Sequence, residues 1–236
     1  MIYILGDIHG NHARLKWLSQ NVQPDDIVIQ VGDFGIYHRM LMYLRQMFPD
    51  GFPCKVYVVD GNHEDFNEIN PWSKDTPTEF HTNFFYMPRG YVMEIEGELF
   101  AFLGGAESVD KYWRVIDGPN RTWYFEERIQ QDDVDRLMKN LDGRTPDVLI
   151  THAPPQFVIA ANFPRLRESD WGLPVGWVDE SGWTVSRVHW AVKPKKHYCG
   201  HMHKSVTHDT VRILDIDEVL LHEKWLFWRT DPYLYE

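Results

Sequence analysis

The chain has 236 residues, 43% of them hydrophobic and 14% aromatic, which is enough for a sizeable core and too apolar for a disordered chain. A net charge of −11 argues against a basic groove for long nucleic acid and against an anionic membrane surface, although bound divalent ions would invert the field locally and admit a phosphorylated substrate. The two cysteines, Cys54 and Cys199, read as buried and reduced; with no leader before the first strand and no bilayer-length apolar run, the expectation is a soluble cytoplasmic protein.

The chain opens with Ile2-Tyr3-Ile4-Leu5, an apolar run that reads as a buried strand, followed by Gly6-Asp7-Ile8-His9-Gly10-Asn11. On extended chain Asp7 and His9, two positions apart, leave on the same side and offer an oxygen and a nitrogen to one ion. Asn11 can cap a helix over 12–20. A second strand over 27–31 ends in Gly32-Asp33, and Ile36, Met40, Leu44 and Met47 then repeat at helical spacing until Pro49-Asp50-Gly51. A third strand over 55–59 is closed by Asp60-Gly61-Asn62-His63. Strand, helix, strand, helix, strand predicts right-handed crossovers and a largely parallel sheet.

The middle of the chain reads differently. Stretches 83–87, 91–95 and 98–103 look like an antiparallel meander, with a Glu96-Gly97 turn between the last two. Residues 106–128 read as a loop or cap without period. Val134, Leu137, Met138 and Leu141 mark a helix, and a strand over 147–150 delivers Thr151-His152. Residues 154–182 form a long irregular stretch with Arg165, Arg167 and tryptophans, of a length that is usually functional. Val185, Val188 and Val192 suggest a helix, a strand over 196–199 ends in Gly200-His201-Met202-His203, and 205–216 and 218–228 read as antiparallel strands. No repeat or linker divides the chain, so one domain over 1–236 is expected, with insertions near 106–128 and 154–182.

Five strand exits thus carry polar groups: Asp7 and His9, then Asp33, then Asn62 and His63, then His152, then His201 and His203. In open α/β sheets functional groups collect at the carboxyl ends of strands. Turns after strands would explain the glycines but not the recurring Asp and His. The other histidines have plainer readings: His38, His81, His208 and His222 as surface or satisfied groups, His189 and His197 as structural, and His12 as solvent-facing.

In these blocks, Gly6-Asp7-Ile8-His9-Gly10, Gly32-Asp33, Gly61-Asn62-His63-Glu64, Thr151-His152 and Gly200-His201-Met202-His203, the sequence resembles the calcineurin-like metallophosphoesterases, whose motifs occur in this order. The resemblance implies an α/β fold, a four-layer α/β/β/α sandwich with two mixed β-sheets, the meander after Asn83 and the terminal strands fitting the second sheet. It places Asp7, His9 and His203 on one metal, Asn62, His152 and His201 on the other, and Asp33 between the two. Two divalent ions about 3.5–4 Å apart can hold phosphate oxygens and a water whose pKa falls towards neutrality, giving a hydroxide that attacks phosphorus. Nitrogen and oxygen ligands without thiolate suit Mn, Fe, Zn or Ni alike; two divalent ions are expected, Mn foremost, with Fe, Zn or Ni as alternatives.

The resemblance also makes His63 the catalytic residue assisting the leaving oxygen. In the protein-phosphatase branch the bridging Asp is followed by a further Asp that orients this histidine and an Arg for phosphate; here Ile36 and Tyr37 stand instead, leaving Asp65 as a candidate to orient His63. Residues 104–114 look like a segment of a bacterial subgroup, in which Lys111 and Arg114 could bind substrate phosphate. The expected function is hydrolysis of a phosphomonoester or phosphodiester, on a phosphorylated small molecule, nucleotide or phosphopeptide. The alternatives are a serine/threonine-type phosphoprotein phosphatase and a non-catalytic metal-binding interaction module on the same fold.

Overall fold

A computed structural model describes residues 1–116, 122–163, 179–222 and 227–228. The first third follows the expected alternation: β1 (Ile2–Leu5), α1 (His12–Asn21), β2 (Ile27–Gln30), α2 (His38–Met47) and β3 (Lys55–Val58). Asn11 caps α1, its side-chain oxygen accepting from Arg14 N at 3.2 Å. β1, β2 and β3 pair in parallel, as the strand–helix alternation predicts.

Beyond β3 the expectation needs correcting. A short helix α3 (Phe66–Ile69) leads to β4 (Thr78–His81) and β5 (Phe84–Tyr86). β5 is not part of a meander: it lies parallel to β3 in the first sheet, and β4 pairs antiparallel on its outer side. Only β6 (Val92–Ile95) and β7 (Glu98–Leu103) form the hairpin, turning at Glu96 and Gly97 with φ of 51° and 81°.

The remainder contains α4 (Lys111–Ile116), a 3₁₀ turn (Phe125–Glu127), α5 (Gln131–Leu141), β8 (Val148–Thr151), α6 (Gln156–Asn162), α7 (Glu180–Val192) and β9 (Lys196–Cys199). It ends with β10 (Val206–His208), β11 (Val211–Ile213), β12 (Val219–Leu221) and β13 (Phe227–Trp228). The expected loops 106–128 and 154–182 therefore hold helices where they are described; Arg165, Arg167, Trp171 and Trp177 lie outside the described residues. The terminal strands divide between the sheets. β12 flanks β1 antiparallel in the first, while β11 runs parallel to β9 in the second.

Two mixed sheets result, seven strands in the order β13-β12-β1-β2-β3-β5-β4 and six in the order β10-β11-β9-β8-β7-β6. Alternation along the strands sorts side chains into layers. Ile2, Ile4 and Ile29 face Phe100, Phe102 and Ile150 between the sheets. Leu5 and Val28 face outwards onto Leu15 and Leu18 of α1 and Met40 and Leu44 of α2. Leu99, Ala101 and Leu149 face Leu137 and Leu141 of α5 and Val188 and Val192 of α7. Each fully buried Leu, Ile or Phe contributes roughly 1.5–3 kcal/mol. The order of layers is α/β/β/α, and the carboxyl ends of β1, β2 and β3 meet those of β8 and β9 at one rim.

Among the described residues no helix is long and apolar enough to cross a membrane.

Candidate metal centre

The five strand exits converge at that rim. Asp7, His9, Asp33 and His203 bring one ligand atom each to within 4.8 Å of one another, and Asp33, His152 and His201 do the same, so Asp33 belongs to both groups. In the first, His203 Nε2 is 3.4 Å from Asp7 Oδ2 and 3.0 Å from His9 Nε2, which is 3.8 Å from Asp33 Oδ2. In the second, His152 Nε2 lies 3.3 Å from Asp33 Oδ2 and 3.2 Å from Asn62 Oδ1.

Backbone geometry makes this crowding possible. A methyl group on Gly200 would stand 1.9 Å from Asp7 Oδ1, and one on Gly61 would stand 2.1 Å from Asp33 Oδ1. Both carboxylates lie where only hydrogen leaves room. Four of the converging residues adopt left-handed backbone: His9 at φ 44°, Asp33 at 54°, His201 at 69° and His203 at 48°. Such positions cost roughly 1–3 kcal/mol each and persist where their surroundings over-determine them. Here Asp33 O accepts from Ile8 N at 3.1 Å and His9 N at 2.8 Å, locking the first two exits together.

The donor set fits cations. His152 Nδ1 bonds to Val31 O at 2.9 Å, which places the imidazole proton on Nδ1 and leaves a lone pair on Nε2. That lone pair faces two oxygens, and Asp33 Oδ2 is buried without a hydrogen-bond partner among the described residues. Electron-rich atoms packed this closely need a positive charge between them. Burial opposes the charged form of His152, but Asp33 and Asp7 outweigh it and hold its pKa up at about 10, which reflects how strongly the oxygens here favour a cation. Burial also raises Asp33, yet the histidines around it carry it well below the usual carboxylate range. Burial and the charge of His152 drive His201 down to about 3, leaving it neutral and able to donate its lone pair. Burial lowers His9, whereas the bond to Asp7 raises His203.

His63 stands apart from both groups. Its backbone N–H donates to Asp33 Oδ1 at 2.8 Å, and its exposed ring meets His9 edge-on at 5.2 Å between centroids. It lines a cavity of about 300 Å³ together with Tyr37, Asp65, Arg114, Thr122 and Tyr124. Asp65 does not reach it in the way expected, for its carboxylate caps Asn67 N at 3.0 Å and accepts from Tyr124 Oη at 2.6 Å.

The two candidate phosphate contacts differ. Arg114 borders the cavity, whereas Lys111 Nζ lies 3.5 Å from Glu107 and 4.6 Å from the centroid of the Trp123 ring. His12, expected to face solvent, packs on Tyr43 at 4.1 Å between ring centroids.

Three residues not singled out from sequence support the centre. Glu64, buried, accepts from Phe34 N at 2.8 Å, Gly35 N at 3.0 Å and Ile36 N, and so shapes the loop that carries Asp33. Burial and the Asp33 charge push its carboxyl up to about 8, against the pull of these three donors. Its place in the Gly61–Glu64 block was the available signal. Ser108 lay within the 104–114 segment, though only Lys111 and Arg114 stood out there, and Arg89 had no signal, being an isolated polar residue that only the fold brings to Asp60.

The calcineurin-like phosphoesterase family model matches residues 1–205. The chain belongs to the calcineurin-like phosphoesterase family. Its two Asp/His groups are accordingly clusters that could hold metal ions in a family of phosphoesterase hydrolases. Among curated proteins none matches the chain.

Proposed function

We propose that this calcineurin-like phosphoesterase hydrolyses phosphate esters, monoesters or diesters, with two divalent metal ions held by Asp7, His9, Asp33 and His203 on one side and Asp33, Asn62, His152 and His201 on the other. The carrying observation is Asp33 Oδ2, buried, unpartnered and facing a histidine nitrogen of each group. A carboxylate has lone pairs enough to serve two ions, which an imidazole lacks. Nitrogen and oxygen donors without thiolate suit Mn, Fe, Zn or Ni, and Mn is the ion proposed. When bound, such ions supply Lewis acidity towards a phosphoryl oxygen and lower the pKa of water.

The remaining steps belong to the chain. The left-handed turns hold the ligands towards the rim, where a phosphoryl group approaches from solvent. His63, on the cavity side, gives its ring proton to the oxygen of the departing alcohol as the P–O bond breaks, and water supplies the new P–O bond. The cavity receives the alcohol portion. Its volume of about 300 Å³, at the lower end for ligand pockets, suits a phosphorylated small molecule or nucleotide better than a folded phosphoprotein. The hydrophobic Ile36 and the Tyr37 phenol, where the protein-phosphatase branch has Asp and Arg, point the same way.

The deciding assay is Mn-dependent hydrolysis of a chromogenic monoester beside a diester, extended to dinucleotides, cyclic nucleotides and phosphopeptides. Turnover that disappears with chelator is expected. Absence of turnover with every divalent metal would replace the hydrolase with a metal-binding interaction module.

A further inference from the structure

Arg114, on sequence grounds a phosphate contact, has both terminal nitrogens directed into the protein. Nη2 donates to Asn62 O at 3.0 Å and Nη1 donates to Ser108 Oγ. The fully buried Ser108 hydroxyl also accepts from Asn62 Nδ2 at 3.1 Å. Behind it stands Glu127, buried, which takes the Ser108 amide N–H at 2.9 Å and Trp123 Nε1 at 2.8 Å, with Arg114 Nη1 at 3.5 Å.

The logic of donors and acceptors then runs one way. A guanidinium can only donate, so one lone pair of Ser108 Oγ is committed to Arg114. The hydroxyl hydrogen is left for the neighbouring Glu127 carboxyl, which burial pushes up to about 7 against the pull of Ser108 and Arg114. Only a lone pair remains for Asn62, and the Asn62 amide must therefore present its nitrogen to Ser108. Its oxygen is thereby turned towards His152, where an acceptor is needed to hold a cation. A flipped amide would aim N–H hydrogens at the same place and repel one.

We infer that Ser108, with its polarity set by Arg114 and Glu127, is a positioning residue that fixes the amide of Asn62 with its oxygen towards the second metal ion, and that Arg114 acts through this relay and not on substrate phosphate. The inference rests on the dimetal reading above. Hydrogen bonds behind a ligand typically change metal affinity 10–100-fold when removed.

The test is Mn binding by equilibrium dialysis, with electron paramagnetic resonance reporting the coupled ion pair. In Ser108→Ala one of the two Mn ions should lose affinity by about 10–100-fold and the coupled signal should fade at limiting Mn, while the other ion is retained. Ser108→Thr, which keeps the hydroxyl, should recover much of the affinity. Glu127→Gln offers Ser108 a donor in place of an acceptor at nearly constant volume, and should weaken the same ion; thermal unfolding of the metal-free variants confirms that each is folded. Wild-type affinity for both ions in Ser108→Ala and Glu127→Gln would overturn the relay. So would an Arg114→Ala variant that binds both ions normally but is less inhibited by inorganic phosphate, which would make Arg114 a substrate contact. If the wild-type chain itself bound fewer than two ions, the dimetal reading would fall first, and the relay with it.

Discussion

Arg89→Lys is the substitution whose cost the structure defines best. Arg89 is 7% exposed, and its guanidinium reaches Asp60 Oδ2 (at 2.9 Å from Nε, and also from Nη2), Arg128 O at 2.7 Å, Glu126 O at 2.8 Å, Glu127 O at 3.1 Å and Asp133 Oδ2 at 3.3 Å. Lysine keeps the charge but has three donors in place of a five-donor fork. Arg128 O, Glu127 O and Asp133 Oδ2 each keep a second donor, but lysine must still forgo at least two of these charge-assisted hydrogen bonds, each worth about 1.5–3 kcal/mol. We therefore expect a loss of about 3 kcal/mol, and for a chain of this size a fall in Tm of roughly 6–12 °C. Thermal and urea unfolding of the metal-free protein measure it. Because the lost acceptors include the backbone of residues 126–128, which carries Glu127, Mn binding should weaken as well. A change below about 1 kcal/mol would refute the reasoning, since the charge alone, and not the fork, would then account for the site.

The other predictions concern the centre and its surroundings. Asp33→Asn should abolish turnover and reduce bound Mn below two ions, read by metal analysis; an unchanged rate would remove Asp33 from its shared position. His63→Ala should slow hydrolysis by about 10²–10⁴-fold, the usual range for a general acid, with metal content intact; loss of both ions would make it a ligand. His197 is fully buried, bonded to Thr151 Oγ1 at 2.8 Å and His189 Nδ1 at 3.1 Å, and burial followed by the charge of His189 holds its pKa well below the ordinary value. The unfolded chain then binds a proton below about pH 6.5 that the folded chain refuses, so stability falls with falling pH by up to about 1.4 kcal/mol per unit for this group. His197→Asn should flatten the acid side of the urea-unfolding profile relative to wild type; parallel profiles would show that His197 titrates alike in both states.

Much of this architecture was legible because parallel strands buried on both faces leave apolar runs, as β1, β2, β3 and β8 do, whereas β9, Lys196-His197-Tyr198-Cys199, was marked mainly by the Gly200-His201 exit that follows it. Each run ended in a group now found at the rim. The second sheet departs from the expected meander for a physical reason: Phe84–Tyr86 is as apolar as its chain neighbours, and nothing in its composition says that it pairs with β3 and not with β6. β4, with Thr78, Glu79 and His81, is half-exposed at a sheet edge and has no apolar run to reveal it. The left-handed turns at His9, Asp33, His201 and His203 also escape prediction, because tertiary bonds and not local preference impose them. Arg89, Ser108 and Glu127 gain their meaning only from partners distant in sequence.

The placement of β11 and β12 sets a limit that the family match does not. The match ends at 205, yet β12 lies alongside β1 and β11 alongside β9, the strands that deliver Asp7, His9, His201 and His203. Glu218 O accepts from Gly6 N at 2.9 Å, and Asp217 N donates to Asp7 O at 2.8 Å. A chain ending at 205 would turn both β1 and β9 into open edges, with unpaired backbone groups inviting strand addition from another molecule. Such a fragment would keep every motif and tend to aggregate, so the smallest unit in which neither strand is an open edge extends through Leu221.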